Sequence, residues 1–159
     1  MKMKQHIIFL GLGSNVGNKK QNLEKAIKKM GEKISMISVS KFYETEPWGY
    51  KDQDKFLNVA VSGKTKLTPM QLLNFVEQIE KEIGRIKRFK WGPREIDVDI
   101  LFYDDFIYKN KFITIPHPFI QEREFVLKPL MDLDPNFVHP VFKKTVRQLC
   151  EKLSITTSL

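Results

Sequence analysis

Two aspartates, Asp97 and Asp99, stand at the end of the segment WGPREIDVD, residues 91–99. They alternate with apolar residues, so they would project from one face of a strand, about 7 Å apart at the backbone. Magnesium prefers oxygen ligands and takes one or two carboxylates, completing its shell with water and substrate phosphates. The pair could therefore hold one metal ion or bridge two. A strand with a polar outer face would show the same alternation.

Positive charge is concentrated immediately before this pair. The cations of this stretch are Arg85, Lys87, Arg88, Lys90 and Arg94. They would repel one another without a nearby anion, and the arginine fork matches phosphate oxygens. A cation aimed at charge that develops on a transferred phosphorus also lowers the barrier directly. Trp91 either serves this site or is buried by loop closure. The segment indicates a metal–nucleotide site for phosphate transfer from ATP, and Gly84 and Gly92 flank a loop expected to act as a mobile lid.

A glycine-rich stretch near the start, GLGSNVG, allows two interpretations. Glycines between a strand and a helix can let backbone N–H groups approach a phosphate, as in dinucleotide-binding folds. The spacing is not GxGxxG, however, and a turn that needs positive φ at Gly13 and Gly17 would explain the glycines equally well.

Composition bounds the class of protein. A chain of 159 residues with 42% hydrophobic residues fits a single domain, residues 1–159. The apolar runs are far shorter than the roughly 20 residues that span a bilayer, so no membrane association is expected. The single cysteine, Cys150, cannot form an internal disulfide, which suits a cytoplasmic protein. The formal charge of +8 suits a polyanionic partner, although many lysines fall on one predicted helix as a solvated face.

Apolar spacing predicts the elements that would position these groups. We expect a buried strand at 7–12, a helix from about Lys19 with a capping box formed by Asn18 and Gln21, and strands at 38–43 and 56–64. The apolar stripe of that helix is predicted to contain Leu23, Ala26, Ile27, Met30 and Ile34. The long segment ETEPWGYKDQDK joins the two strands, and irregular loops of this length often carry function.

The second half of the chain continues the pattern. A helix is expected to begin at the N-cap Thr68, with Pro69 next and Gln71 three residues on, and to end at Gly84. Its predicted buried residues are Leu72, Leu73, Val76, Ile79 and Ile83. A strand at 96–103, an Asp104–Asp105 turn, a short strand at 106–108, a short helix or turn at 121–130 and a helix at 145–153 follow. The order favours an α+β fold with a mainly antiparallel, ferredoxin-like sheet.

Four motifs in this order carry a resemblance to a known family. They are GLGSNVGN, KFYETEPWGYKDQDKFLNVAV, KWGPREIDVDIL and PHPFIQEREFVLKPL. Together they cover nearly the whole chain and resemble 6-hydroxymethyl-7,8-dihydropterin pyrophosphokinase, an enzyme family of folate biosynthesis. The resemblance implies a three-layer α/β/α fold and transfer of pyrophosphate from ATP to the pterin hydroxymethyl group, which releases AMP.

The resemblance also implies roles for individual residues. Asp97 and Asp99 correspond to ligands of two magnesium ions, and Arg85 and Arg94 to catalytic arginines of a mobile loop. The implied ATP contacts are Glu80, Lys87, Trp91, Ile100, Thr114, His117 and Arg123. The implied pterin contacts are Thr45, Trp48, Phe56, Asn58 and Phe125. From the residues alone, core packing would explain the two phenylalanines equally well.

This chain departs from the family pattern at a few positions. Phe56 stands where tyrosine is also found, Lys87 where an arginine occurs, and Pro118 and Phe119 follow His117 where more polar residues occur. The basic loop is one residue shorter than in some relatives. The expected partners are small molecules and not nucleic acid, and the expected state is a monomer. An RNA-binding α+β module and an inactive family member are the alternatives, although the aromatic pattern of RNA-binding sheets is absent.

Overall fold

The computed structural model describes residues 4–157, which contain seven strands and four α-helices. The first half contains β1 (His6–Ser14), α1 (Lys19–Met30), β2 (Ser35–Val39), β3 (Tyr43–Thr45), β4 (Phe56–Thr65) and α2 (Pro69–Ile83). The second half contains β5 (Asp97–Tyr103), β6 (Tyr108–Lys109), β7 (Thr114–Ile115), a 3₁₀ turn (Ile120–Glu122), α3 (Glu124–Leu133) and α4 (Val146–Thr157).

The main sheet has the order β2-β4-β1-β5, with β3 paired to β4 beyond the end of β2. Each of these pairings is antiparallel. The order and direction are those of a ferredoxin-like βαββαβ unit, so the predicted α+β class is confirmed. Strands β6 and β7 form a separate antiparallel pair.

Helices cover both faces of this sheet. On β1, Ile8, Leu10 and Leu12 point into one core together with the apolar faces of α1 and α2. Phe9 points the other way, into a second core built with α3 and α4. The period-2 alternation of the strand therefore divides its side chains between two layers, and the expected three-layer arrangement is confirmed. No helix in residues 4–157 has the length and apolar character to cross a membrane.

The helix boundaries follow their capping residues. Thr68 accepts a hydrogen bond from the Gln71 N–H, and the Gln71 side chain accepts one from the Thr68 N–H, which completes a capping box. Gly84 ends α2 with φ of 106°, a left-handed conformation that glycine tolerates. Asn18 caps α1 by accepting from the Gln21 N–H, which is one of the two hydrogen bonds of the expected capping box; the return bond to the Gln21 side chain is not formed.

Four predicted boundaries are wrong. The strand expected at 38–43 is split, because Ser40 turns the chain inward and its hydroxyl accepts the Ala60 N–H at 2.8 Å. The strand expected at 106–108 lies at Tyr108–Lys109, after a turn in which Asp104 has φ of 48°. The short helix or turn expected at 121–130 is a 3₁₀ turn followed by α3, and the last helix extends to Thr157.

Candidate active site

A row of residues across three strands forms the floor of the site. Gly13 on β1 lies between Asn58 on β4 and Asp97 on β5, and Gly11 lies between Ala60 and Asp99. A Cβ atom on Gly13 would be 2.8 Å from Asn58 Oδ1 and 3.4 Å from Phe56 Cδ1. Small residues in the central strand thus leave a groove between an amide on one side and two carboxylates on the other.

This row changes the interpretation of GLGSNVG. Gly17 has the expected positive φ of 75°, in the turn before α1. Gly13 lies within β1 and has no positive φ. The expectation of a turn at Gly13 is therefore wrong, and the close approach of Asn58 explains why a glycine is needed there.

The Asp97 carboxylate is bound by both predicted catalytic arginines. Arg94 Nη1 lies 2.9 Å from Oδ2, and Arg85 Nη1 lies 3.3 Å from Oδ1. Arg85 also contacts the buried carboxylate of Glu80 at 2.5 Å, and the same oxygen of Glu80 accepts the Val98 N–H at 2.9 Å. Burial raises the pKa of Glu80 to about 7, although the Val98 N–H and Arg85 oppose that rise. Glu80 thus holds an arginine in this structure.

The Asp99 carboxylate has a different environment. His117 Nε2 lies 3.8 Å and Arg123 Nη1 4.0 Å from its Oδ2 oxygen, both too far for a hydrogen bond. Burial, and then the neighbouring Asp97 carboxylate, raise the pKa of Asp99 well above its usual range. Burial and Arg123 lower the pKa of His117 to about 4, so this imidazole is neutral near pH 7. Asp99 is therefore the carboxylate with the weaker internal pairing.

Arg123 is held in a box of aromatic rings. Its guanidinium carbon lies 4.3 Å from the Trp48 ring centroid, 4.9 Å from that of Phe119, 5.2 Å from that of Trp91 and 5.6 Å from that of Phe125. Arg123 is 6% exposed, and its Nε atom has no hydrogen-bond partner among the described residues. A buried cation with an unused donor fits a site that accepts an anion.

Four of the five expected pterin contacts line one cavity between the sheet and α3. They are Trp48, Phe56, Asn58 and Phe125. Thr45 lies behind them, where its hydroxyl accepts a 2.5 Å hydrogen bond from Asn58 Nδ2. Asp97, Asp99, Trp91, Arg94 and Arg123 line the same cavity. Its volume is about 60 Å³.

Two further cavities adjoin the acidic pair. One, of about 320 Å³, is lined by Asp99, Ile100, Thr114 and His117 together with residues of the segment 110–113. The other, of about 520 Å³, is lined by Glu80, Arg85, Lys87, Trp91 and Arg94. The expected ATP contacts are thus divided: Ile100, Thr114 and His117 line one of these cavities, Glu80, Lys87 and Trp91 line the other, and Arg123 lines the 60 Å³ cavity with Phe56. Asp99 lines both the first of these cavities and the 60 Å³ cavity.

Two loops cover the site, and an amide network that sequence reasoning missed joins them. We name residues 46–55 the WGY loop and residues 84–96 the arginine loop. Gln53 of the WGY loop donates to the Trp91 carbonyl at 2.7 Å and accepts from Asn15 Nδ2 at 2.9 Å. Asn15 Oδ1 accepts the Arg94 N–H at 2.9 Å. Both amides stand within motifs already noted, GLGSNVGN and KDQDK, but their pairing depends on tertiary structure.

The cations of the arginine loop do not all face the site. Arg88 forms two 2.8 Å hydrogen bonds with the Glu95 carboxylate, which lower the pKa of Glu95 to about 2. Arg88 therefore braces the loop from within. This internal pair partly explains how so many positive charges are tolerated in a short segment.

Comparison with known proteins adds an independent observation. The family model described as 7,8-dihydro-6-hydroxymethylpterin-pyrophosphokinase (HPPK) matches residues 9–135. A 2-amino-4-hydroxy-6-hydroxymethyldihydropteridine pyrophosphokinase of Aquifex aeolicus is 44% identical over 141 residues, which cover 89% of this chain and 88% of that protein. The Bacillus subtilis protein of the same name is 41% identical over 130 residues, 80% of this chain and 78% of that protein.

Longer proteins match as well. The folic acid synthesis protein fol1 of Schizosaccharomyces pombe is 43% identical over 152 residues, 94% of this chain but only 21% of that protein. The crystal structure of wild-type Plasmodium falciparum HPPK-DHPS superimposes with a TM-score of 0.77 at 20% identity, covering 94% of this chain and 45% of that one. At that identity, the likeness to the solved structure concerns the fold alone.

Proposed function

We propose a reaction for this site from one premise, which is that the chain belongs to the 7,8-dihydro-6-hydroxymethylpterin-pyrophosphokinase family. The activity is transfer of pyrophosphate to the hydroxymethyl group of 6-hydroxymethyl-7,8-dihydropterin, in folate biosynthesis. The donor we propose is ATP. The pterin hydroxyl oxygen forms a bond to the β-phosphorus and loses its proton to water, the bond from that phosphorus to the oxygen bridging to the α-phosphorus breaks with its electron pair, and AMP leaves.

One observation carries this assignment of roles. Asp99 lines the 60 Å³ cavity on one side and the 320 Å³ cavity on the other. We assign the first to the pterin, with the rings of Phe56 and Phe125 as stacking faces and Asn58 at the ring edge. Thr45 holds the Asn58 amide, and Trp48 closes the side of the cavity. The acceptor hydroxyl then meets the donor phosphate beside this carboxylate.

We assign the two larger cavities to ATP. Ile100, Thr114 and His117 receive the base and ribose, while Arg123 and Lys87 supply positive charge toward the phosphates. Glu80 acts through Arg85, and Trp91 closes over the nucleotide. Phosphoryl transfer depends on positioning and charge stabilisation, and Arg85 and Arg94 supply these at the border of the cavities. Both arginines would exchange the Asp97 carboxylate for phosphate oxygens when ATP binds.

The same carboxylates fit magnesium. No group of three or more His, Cys, Asp or Glu side chains suited to a metal exists in residues 4–157, so Asp97 and Asp99 would be joined by phosphate oxygens and water. The weakly paired Asp99 oxygens fit this role. When bound, two Mg²⁺ ions would neutralise phosphate charge and favour attack at the β-phosphorus. The role of the protein is to hold the two carboxylates on one strand, β5.

The test is magnesium-dependent AMP formation from ATP and 6-hydroxymethyl-7,8-dihydropterin. Asp97→Ala and Asp99→Ala should each abolish turnover, because the phosphates then lose their anchoring ligand. Asp105→Ala is the matched control, since this aspartate lies outside every site cavity described above. Near-normal turnover of either site variant would remove the metal assignment, and inactive wild-type protein would favour an inactive family member.

We further propose a single domain over residues 1–159 that acts as a cytoplasmic monomer and binds neither nucleic acid nor membrane. Cys150 is a free thiol. An RNA-binding module needs an open sheet face on which bases stack, whereas helices cover both faces here. A mass measurement in solution and a single-stranded RNA titration would test the monomer and the lack of RNA binding.

A further inference from the structure

Two exposed rings meet where the WGY loop touches the arginine loop. Tyr50 is 40% exposed and Phe89 is 56% exposed. Their ring centroids lie 4.9 Å apart at an interplanar angle of 81°, an edge-to-face contact. Such pairs add a favourable interaction beyond the area that they bury. Neither residue lines the 60 Å³ cavity, whereas Phe89 also lines the 520 Å³ cavity and Tyr50 lines none of the three site cavities.

Glycines on both loops make room for this arrangement. Gly49 has φ of 89°, and a Cβ atom there would lie 2.9 Å from the Trp91 ring. A Cβ atom on Gly92 would lie 2.9 Å from the Phe89 ring, which folds back over its own loop. Trp91 itself has φ of 63°, which non-glycine residues rarely adopt. The contact is therefore built into the backbone of both loops.

The two loops meet beside the pterin cavity. Trp48 and Trp91 both line that cavity, and their ring centroids lie 4.8 Å apart. The space for a pterin therefore depends on where the two loops lie relative to each other. Tyr50 lies two residues from Trp48, and Phe89 lies two residues from Trp91, so the exposed pair joins the two loops.

We propose that Tyr50 and Phe89 form a latch that couples closure of the WGY loop over the pterin to placement of the arginine loop over the nucleotide. Both are positioning residues, which act through Trp48, Trp91 and Arg94. The latch rests on the proposed function, because it gives the site a way to bind the pterin more tightly once the nucleotide is present.

Calorimetry with 6-hydroxymethyl-7,8-dihydropterin, Mg²⁺ and α,β-methylene-ATP, in which the bond to be broken is blocked, measures this coupling. The quantity is the ratio of the pterin dissociation constants without and with the nucleotide, expected to exceed one for the wild type. Phe89→Ala and Tyr50→Ala should each lower the ratio about twofold to tenfold, the range for an aromatic pair. The double variant should lower it no further, and Tyr50→Phe should retain it.

Phe142→Ala is the matched control, because Phe142 is an exposed ring, paired with His139, that lines a separate groove beside α4. It should leave the ratio unchanged. Additive effects of the two latch variants, an unchanged ratio in either of them, or a wild-type ratio of one would overturn the latch.

A second readout needs no pterin. Trp48 and Trp91 are the two tryptophans of the chain, so intrinsic fluorescence reports on the loops alone. Acrylamide quenching of the free protein should increase in Tyr50→Ala and Phe89→Ala and stay constant in Phe142→Ala. Wild-type protein that fails to bind the pterin would remove the proposed function, whereas unchanged quenching in both latch variants would remove the latch.

Discussion

At the scale of single residues, the site depends on the absence of a side chain. Gly13 lies between Asn58 and Asp97 in the row that crosses the sheet. Its missing Cβ leaves Asn58 free to turn its amide toward Thr45, which fixes the direction in which the amide oxygen points. A glycine in a central strand weakens the strand, so its presence here marks a close approach of a functional group.

Gly13→Ala tests this role directly. The added methyl group would lie 2.8 Å from Asn58 Oδ1, so the amide must move and the pterin contact should weaken. We expect the KM for the pterin to rise about tenfold, the cost of one hydrogen bond to a substrate, with the KM for ATP unchanged. Gly31→Ala is the control, because Gly31 follows α1 outside the site cavities with a helical φ of −61°, and its methyl group would lie 3.3 Å from the Lys28 carbonyl oxygen. Equal kinetics for both variants would contradict the prediction.

The sequence predicted which residues gather at the site better than it predicted their partners. Asp97, Asp99 and Arg94 follow from spacing on one strand and one turn. Two ion pairs, Glu80 with Arg85 and Arg88 with Glu95, depend on the position of the end of α2 relative to β5. Asn15 and Gln53, 38 positions apart, could not be paired without the tertiary structure. Local sequence patterns identify which residues belong to the site, whereas long-range contacts determine which side chains each of them binds.

At the scale of elements, capping chemistry was predictable because it is local. The box at Thr68 joins residues three positions apart, and the structure contains both of its hydrogen bonds. Thr68→Ala should lower the free energy of unfolding by about 1 kcal/mol, the usual cost of losing an N-cap side chain. Urea denaturation measures this loss. Thr68→Ser, which keeps the hydroxyl, should remain near the wild type, and a Thr68→Ala protein as stable as the wild type would show that the cap is dispensable.

Elements whose limits are set by distant contacts were harder to predict. The apolar alternation continues through 38–43, yet Ser40 bonds to Ala60 and divides the segment into two strands. Pro129 argues for an early end of the helix near 130, since proline lacks the N–H of an interior helical bond. The helix nevertheless continues to Leu133, with Val126, Leu127 and Leu130 buried against the sheet. Packing therefore outweighs the local signal.

At the scale of the whole molecule, the sheet separates two cores. The cavity assigned to the pterin lies on the side of α3, whereas residues of α2 border both cavities assigned to ATP. Val98 and Ile100 point into the core with α1 and α2, while Asp97 and Asp99 point to the opposite face. One strand thus anchors the fold with alternate residues and carries the acidic pair with the others. The second core extends beyond the site to a buried histidine, His139, which the reaction does not use.

His139 makes the stability of the whole protein depend on pH. It is 2% exposed, its Nδ1 accepts the Val141 and Phe142 N–H groups at 3.1 and 3.2 Å, and its Nε2 has no partner among the described residues. Burial lowers the pKa of His139 to about 4. Between pH 6.5 and 4 the unfolded chain therefore binds a proton that the folded protein does not, so stability falls as the pH falls.

The expected loss of unfolding free energy attributable to His139 is roughly 3 kcal/mol on going from above pH 6.5 to pH 4, at about 1.4 kcal/mol for each pH unit.

The variant His139→Asn tests this dependence. Asparagine can place an oxygen near the position of Nδ1 and does not titrate. Urea denaturation of the wild type and of His139→Asn at several pH values should therefore show a smaller slope of unfolding free energy against pH in the variant. Comparing slopes removes any constant cost of the substitution. His117, with a pKa of about 4, and the buried carboxyls of Glu80 and Asp99, whose raised pKa values act in the opposite direction, remain in both proteins, so the difference between the two slopes reports on His139. Parallel slopes would mean that His139 is protonated without cost in the folded state, against the apolar packing of its ring between Phe102 and Phe142.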